Sequence, residues 1–105
     1  MQPQYRQGDV FLLQVEQLPL QAREESQADR IVLAYGEATG HSHSVSRQEA
    51  TLYNFEDQDY LFVDTQAQLV HEEHTAIALP AGTYKVVRQR EYSPAGGLQY
   101  VYVSD

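Results

Sequence analysis

The stretch that decides the fold class is Ala50-Thr51-Leu52-Tyr53-Asn54-Phe55-Glu56-Asp57-Gln58-Asp59-Tyr60-Leu61-Phe62-Val63-Asp64. Large apolar and aromatic side chains fill both of its ends, and an acidic segment separates them. Two such runs joined by a short polar connection are typical of a β-hairpin. The sequence therefore predicts strands at 50–55 and 59–64, with a turn at 56–58.

Short apolar runs separated by turn residues continue on both sides of this hairpin. The segment 21–29 contains helix-forming residues but almost no large apolar residue to bury, so we predict a loop, with a short solvated helix as the alternative. Turns are predicted at 81–82 and 93–97, and residues 75–80 show strand-like alternation. The further predicted strands are 10–15, 30–35, 41–45, 67–71, 83–90 and 98–103.

These seven or eight short strands indicate an all-β fold, either a small antiparallel β-sandwich or a β-barrel. The 105 residues predict a single β domain, 1–105, because there is no room for a second core. Val10–Val15, 60–63 and 100–103 are apolar on both faces. We therefore expect a homo-oligomer, with a dimer favoured. The alternative is that loops cover the second apolar face.

Charge and composition restrict the partners. With 15 acidic and 7 basic residues the formal net charge is −8, which argues against nucleic acid because phosphate binding needs clustered lysine and arginine. The chain has no cysteine, so disulfides and thiolate ligands are excluded. No apolar run reaches membrane-spanning length and the N-terminus lacks an apolar signal core, so we expect a cytoplasmic protein without a membrane partner.

All four histidines fall in two short stretches, Gly40-His41-Ser42-His43 and Val70-His71-Glu72-Glu73-His74. Residues two apart on a strand point the same way, so His41 and His43 are predicted to share a face. Residues three apart do not, and a bulge or sharp bend is needed to bring the second pair to one side. Imidazole is the commonest metal ligand in proteins. The pairing predicts one shared metal site made of His41, His43, His71 and His74.

Imidazole and carboxylate ligands without sulfur suit zinc, nickel, iron(II), manganese or copper(II), so the predicted cofactor is a divalent transition metal. Glu37, Glu72 and Glu73 are candidate oxygen ligands, or partners that orient the histidines. Two other interpretations stay open. The histidines form hydrogen bonds in the core or at an interface, or they lie on the surface.

A further group of residues is a candidate for binding an anionic small molecule. Arg88 and Arg90 are two apart on one predicted strand and share a face, with Tyr84 beside them. We expect either that they clamp an anion near the histidines, or that they pair with the many carboxylates of this acidic protein.

One resemblance covers most of the chain. The runs Gly-Glu-Ala-Thr-Gly-His-Ser-His at 36–43, Leu-Val-His-Glu-Glu-His at 69–74 and Leu-Pro-Ala-Gly-Thr-Tyr at 79–84 resemble a family of small bacterial proteins of unassigned function. The likeness extends from Gly8 to Val103 and implies no activity.

A partial resemblance is to the cupins, small β-barrels that hold a metal through His-x-His, a glutamate and a later histidine. His41-Ser42-His43 matches the first motif, and Pro80-Ala81-Gly82 is similar to the turn of the second. The order of the remaining ligands differs, since His71 and His74 precede Pro80. The resemblance implies a cupin-like barrel.

The sequence leaves catalytic residues unassigned. It contains no cysteine nucleophile, no Gly-x-Ser-x-Gly elbow and no phosphate-binding loop. Three functions stay open: an enzyme whose metal acts on a small molecule, a non-catalytic binding or assembly module with structural or interfacial histidines, and an accessory protein acting with a neighbouring gene product. Three histidines on the ion would leave a position for chemistry, whereas four would close the site.

Overall fold

The computed structural model describes residues 4–25, 28–36, 40–89 and 102–103. Within these ranges the chain forms nine β-strands and no helix, which confirms the predicted all-β class. The described residues therefore contain no helix that could cross a membrane. The strands are β1 Gln4–Gln7, β2 Val10–Val15, β3 Arg23–Glu24, β4 Arg30–Gly36, β5 Ser42–Ser46, β6 Ala50–Phe55, β7 Gln58–Leu69, β8 Ile77–Arg88 and β9 Tyr102–Val103.

The strands form two sheets that do not close into a barrel. Six strands make the larger sheet, in the order β1-β2-β8-β7-β6-β3, and every neighbouring pair is antiparallel. The smaller sheet has the order β5-β4-β9, with β4 antiparallel to β5 and parallel to β9. Of the predicted alternatives the sandwich is confirmed, and the cupin-like barrel is not.

The hairpin that decides the fold class forms as predicted. Its two strands pair from Ala50 opposite Val63 to Phe55 opposite Gln58. Glu56 and Asp57 make the turn, with positive φ angles of 51° and 65°. Positive φ at both central residues gives the turn the twist that suits a two-residue hairpin. The predicted turn is one residue too long, because Gln58 already pairs with its partner strand.

The two longest strands correct the sequence prediction. Separate strands are predicted at 59–64 and 67–71, but β7 runs without interruption from Gln58 to Leu69. The turn predicted at 81–82 is also wrong, because β8 continues through Gly82. The pairing of β7 with β8 shifts register between Val63 and Gln66, opposite Gly82, whose φ is 154°. A bulge inside a continuous ladder therefore accounts for the residues that look like strand ends.

Alternate residues of the strands form a core between the sheets. On β2, Val10 and Leu12 are buried, whereas Phe11 and Leu13 on the opposite face are only half-buried. The homo-oligomer that this second face suggests stays a prediction. The buried apolar residues are Val10, Leu12, Ile31, Leu33, Ala34, Val45, Ala50, Leu52, Leu61, Val63, Ala67, Leu69, Leu79, Tyr84 and Val86.

Some predicted segments fall wholly or partly outside the described residues. In the described part of the loop predicted at 21–29, the chain forms no helix and only the two-residue strand β3, which pairs with β6. The turn predicted at 93–97 lies outside the description. Of the strand predicted at 98–103, the described residues Tyr102–Val103 are a strand, and they pair with Tyr35 and Gly36.

Candidate metal centre

The two histidine stretches meet because β5 lies beside the end of β7. Ser44 and Val70 form an isolated antiparallel bridge, with backbone hydrogen bonds of 3.0 and 2.9 Å. Their neighbours His43 and His71 are thereby brought together. The chain bends at 72–74, so His74 returns to the same side as His71. This is the bend that the three-residue spacing of His71 and His74 requires.

Three imidazole rings make up the three-histidine cluster, defined as His43, His71 and His74. The ring centroids of His43 and His71 are 4.3 Å apart, and those of His71 and His74 are 4.5 Å apart. One ligand atom from each residue lies within 4.8 Å of the other two. His43 is fully buried, His71 is 8% exposed and His74 is half-buried. The cluster can therefore present three nitrogen ligands to one ion.

The fourth histidine lies to one side of this cluster. His41 precedes β5, and its ring meets the ring of His71 edge-on, with centroids 5.4 Å apart. It belongs with His71 and Glu72 to a second group of possible ligand atoms, which also lie within 4.8 Å of one another. The structure thus divides the four predicted ligands between two groups that share His71.

Gln7, the last residue of β1, fixes the orientation of His43. Its side-chain Nε2 donates hydrogen bonds of 3.0 Å to the carbonyl oxygens of Leu69 and Thr75. This leaves Oε1 as the atom that faces His43 Nδ1, at 2.9 Å. Because an amide oxygen can only accept, His43 Nδ1 carries the proton and its Nε2 holds the lone pair when the ring is neutral. This role of Gln7 is not visible in the sequence, since no local pattern links a glutamine to a histidine 36 residues away.

Gly8 forms one wall of the cluster. Its φ of 58° is a conformation that glycine adopts without strain. A Cβ at this position would lie 2.9 Å from His74 Nε2 and 3.1 Å from His43 Cε1. Glycine therefore lets the backbone approach His74 Nε2 closely, a buried atom with no hydrogen-bond partner among the described residues.

The two glutamates of the bend hold it in place. Glu72 Oε1 accepts a 3.0 Å hydrogen bond from the backbone N–H of Ser42. That bond, helped by the nearby His41 and His71, lowers the pKa of the Glu72 carboxyl. Glu73 Oε1 lies 2.9 Å from His41 Nδ1, and the backbone N–H of Glu73 donates to His71 Nδ1 at 3.0 Å. Both glutamates of the bend therefore contact the histidine region.

The other predicted site residues lie elsewhere or outside the description. The Tyr84 hydroxyl donates to the Pro80 carbonyl oxygen at 2.7 Å. Arg88 Nη2 pairs with Asp59 Oδ2 at 2.6 Å, and its Nε donates to the Leu33 carbonyl. Of the two alternatives for Arg88, an anion clamp or pairing with a carboxylate of the protein, the structure thus shows the carboxylate pairing. Glu37 and Arg90 are outside the described residues.

A second polar group, the carboxyl cluster, consists of Glu25, Asn54, Asp59 and Arg88. Asp59 accepts hydrogen bonds from Asn54 Nδ2 at 3.0 Å and from Arg88 Nη2 at 2.6 Å. Burial acts to raise the pKa of Asp59, but hydrogen bonds with Glu25, Asn54 and Arg88 outweigh it and hold the pKa below its ordinary value. Burial, together with the hydrogen bond to Asp59 and its charge, raises the pKa of Glu25 to about 7.

Fold and site together define a small two-sheet β protein with buried histidines at the contact between its sheets. The chain belongs to the family described as Domain of unknown function (DUF8820), whose family model matches residues 6–89. This confirms the predicted resemblance to a family of unassigned function, whereas the cupin resemblance is not confirmed. The matched range includes Gln7 and all four histidines. No curated protein and no solved structure matches the chain.

Proposed function

We propose that this protein binds a divalent transition metal ion through His43, His71 and His74. The observation that carries the proposal is the convergence of three imidazoles, with one ligand atom from each within 4.8 Å of the others. An unsatisfied polar atom in a protein interior costs about 1–3 kcal/mol. The buried Nε2 of His74 incurs such a cost, and coordination to an ion would remove it.

The surrounding groups support nitrogen coordination. Metal-bound histidines usually donate their second ring N–H to an oxygen, which fixes the ring and makes it more basic. Gln7 Oε1 has this position relative to His43. An all-imidazole donor set suits zinc, copper(II), nickel and iron(II) better than magnesium or calcium, which prefer oxygen.

Three protein ligands leave a fourth position on a tetrahedral ion, as in zinc sites that perform chemistry. The glycine at position 8 keeps His74 Nε2 unobstructed, since a side chain there would come within 2.9 Å of it. We therefore propose that the fourth ligand is water or a small molecule. Bound water on such an ion is more acidic than free water, which makes it a nucleophile near neutral pH.

A structural role is the alternative function. The cluster joins the turn after β1, the strand β5 and the bend at 72–74. Gln7 also ties this bend to the larger sheet through the Leu69 and Thr75 carbonyls. An ion at this junction would hold segments that are distant in sequence, and its binding energy would add to folding stability.

Cobalt(II) distinguishes these functions because its visible absorption reports both coordination and ligand exchange. Untagged protein, freed of metal with a chelator, is titrated with cobalt(II), and azide is then added. We expect the first equivalent to bind in a nitrogen-rich site and its spectrum to change with azide. A spectrum that azide leaves unchanged would favour the structural alternative.

The matched variants are His74→Ala and Gln17→Ala, since Gln17 is an exposed residue of the loop after β2. His74→Ala should weaken the first equivalent at least about tenfold, or about 1.4 kcal/mol. Gln17→Ala should bind as the wild type does. Equal affinity in all three proteins would refute the three-histidine site.

A further inference from the structure

We propose that His41, His71 and Glu72 bind a second divalent ion, and that His71 bridges it to the first. This inference rests on the proposed function, because the first ion occupies the three-histidine cluster. The second site differs in ligand chemistry, since it combines two imidazoles with a carboxylate. A site of this composition accepts the same transition metals, and its oxygen ligand also suits manganese and iron(II).

The geometry of the second group supports this site. One ligand atom each from His41, His71 and Glu72 lies within 4.8 Å of the other two. The rings of His41 and His71 meet at 83° with centroids 5.4 Å apart. The rings of His43 and His71 are 4.3 Å apart, so His71 contacts a histidine of each group.

His41 is oriented as a metal ligand by Glu73. The Glu73 carboxylate oxygen lies 2.9 Å from His41 Nδ1. A carboxylate accepts and cannot donate when ionised, so Nδ1 carries the proton and Nε2 keeps its lone pair in the neutral ring. This carboxylate–histidine arrangement commonly supports metal ligands. Each ion thus has one histidine with a fixed tautomer, set by Gln7 in one group and by Glu73 in the other.

His71 is the residue that both groups share, and its ring has two nitrogens. In a neutral imidazole one nitrogen carries a proton and the other a lone pair. For both nitrogens to coordinate, the ring gives up that one proton to solvent, and each nitrogen then offers a lone pair to one ion. The backbone N–H of Glu73 donates to His71 Nδ1 at 3.0 Å. This bond makes Nδ1 the acceptor, so Nε2 carries the proton of the neutral ring, and that is the proton a bridging His71 would release.

The second site is open to solvent on one side. A shallow depression beside it is lined by Arg30, Ser42, Ser44, Val70, His71 and Glu72. Glu72 itself is exposed, whereas His43 in the first site is fully buried. The outer ion should therefore bind more weakly and exchange faster than the inner ion.

Copper(II) provides a direct test because two bridged copper(II) ions couple magnetically. Metal-free protein is titrated with copper(II), bound metal is counted by equilibrium dialysis, and electron paramagnetic resonance spectra are recorded. We expect about two equivalents per chain. The signal should grow with the first equivalent and diminish with the second.

Three variants accompany the wild type. His41→Ala and Glu72→Gln should each retain one equivalent and an uncoupled signal, while Glu16→Gln, which removes an exposed carboxylate elsewhere, should behave as the wild type does. Circular dichroism checks that each variant is folded. Magnetic coupling in the wild type supports the bridged pair of ions even if a variant does not fold.

The outcomes separate this inference from the proposed function. One equivalent with an uncoupled signal, unaffected by His41→Ala, would overturn the second site and keep the first. Two equivalents without coupling would overturn the bridge through His71. No binding at all would overturn both proposals.

Discussion

The three-histidine cluster and the carboxyl cluster are both groups of polar side chains drawn from distant parts of the chain. In the carboxyl cluster, opposite charges face each other and hydrogen-bond donors face acceptors. Asp59 accepts a hydrogen bond from Asn54 and pairs with Arg88. In the three-histidine cluster like groups meet, with ring centroids 4.3, 4.5 and 5.7 Å apart. Gln7, from another segment, contacts this cluster through a side-chain hydrogen bond.

This difference in composition supports a folding role for the carboxyl cluster and the proposed metal-binding role for the three-histidine cluster. Complementary partners make the carboxyl cluster complete within the protein, and Arg88 also joins the larger sheet to the Leu33 carbonyl of β4. Imidazoles do not neutralise one another, and three ring nitrogens within 4.8 Å of one another match a cation. We therefore expect changes in the carboxyl cluster to affect folding and changes near the three-histidine cluster to affect metal affinity.

The largest expected effect is on stability, in Arg88→Met. Removing one partner of a largely buried ion pair costs about 3–5 kcal/mol, because the other charge is left uncompensated. The Arg88 and Asp59 side chains are only 16% and 15% exposed. Urea unfolding measures the loss.

Arg47→Met is the control, since Arg47 is 45% exposed and lies 3.9 Å from Glu24. Surface pairs contribute about 0–1 kcal/mol. Similar losses in the two variants would contradict the structural role of the carboxyl cluster.

The next largest effect is on metal affinity, in Gln7→Ala. Removing the group that orients a metal-bound histidine typically weakens binding about 10–100-fold. Zinc affinity measured by competition with a coloured chelator gives the value. Gln66→Ala is the control, because Gln66 is exposed on β7. Unchanged affinity in Gln7→Ala would mean that His43 does not bind the ion through the tautomer that Gln7 fixes.

Gln7 also marks the limit of what the sequence predicts. The hairpin at 50–64 is predictable because turn residues and apolar alternation lie within one short stretch. The paired histidines are predictable as a group for the same reason, and the bend at 72–74 follows from their spacing. Gln7, by contrast, contacts Leu69 across 62 residues, and only strand order brings them together.

The long strands β7 and β8 show a second limit. Thr65 and Gln66 lie between two predicted strands, and Ala81 with Gly82 look like a turn. Each interruption lies opposite the other in the ladder, so the sheet accommodates both as one bulge. A single strand cannot reveal this compensation, because it depends on the register of its partner. The division of the histidines into two groups likewise depends on β5 meeting Val70.

A third expected effect is on how the stability of the fold changes with pH, through the carboxyl cluster. The folded-state pKa of Glu25 is raised from 4.5 to about 7, so the folded protein retains a proton that the unfolded chain releases. Its stabilising contribution is complete below pH 4.5 and is lost as pH rises through about 7. Asp59 acts in the opposite sense, since its lowered pKa stabilises the fold above 3.8 and this contribution is lost as pH falls further.

Thermal melts of metal-free wild type and Glu25→Gln across this range test the assignment. Glutamine keeps a donor for Asp59 without titrating, so the variant should lose the decline in stability between pH 4.5 and about 7. Its stability relative to the wild type should be greatest at pH 8. Parallel melting curves for the two proteins would assign the pH dependence to another group.

The smallest expected difference separates two glycines of similar backbone conformation, Gly8 at φ 58° and Gly40 at φ 77°. Alanine at either position carries the strain of a left-handed conformation, about 1–3 kcal/mol. Only at Gly8 would the new Cβ contact the histidines, since at Gly40 no atom of the described residues lies within 4 Å of it. Gly8→Ala should therefore weaken zinc binding and Gly40→Ala should not. Equal zinc affinities would mean that the space beside His74 is not used.

The most direct test of the central claim is diffraction from crystals grown with zinc, recorded on both sides of the zinc absorption edge. We expect an anomalous peak between His43, His71 and His74, about 2.0–2.1 Å from an imidazole nitrogen of each. The contradicting result would be zinc fluorescence from the crystal with no anomalous peak among these three rings.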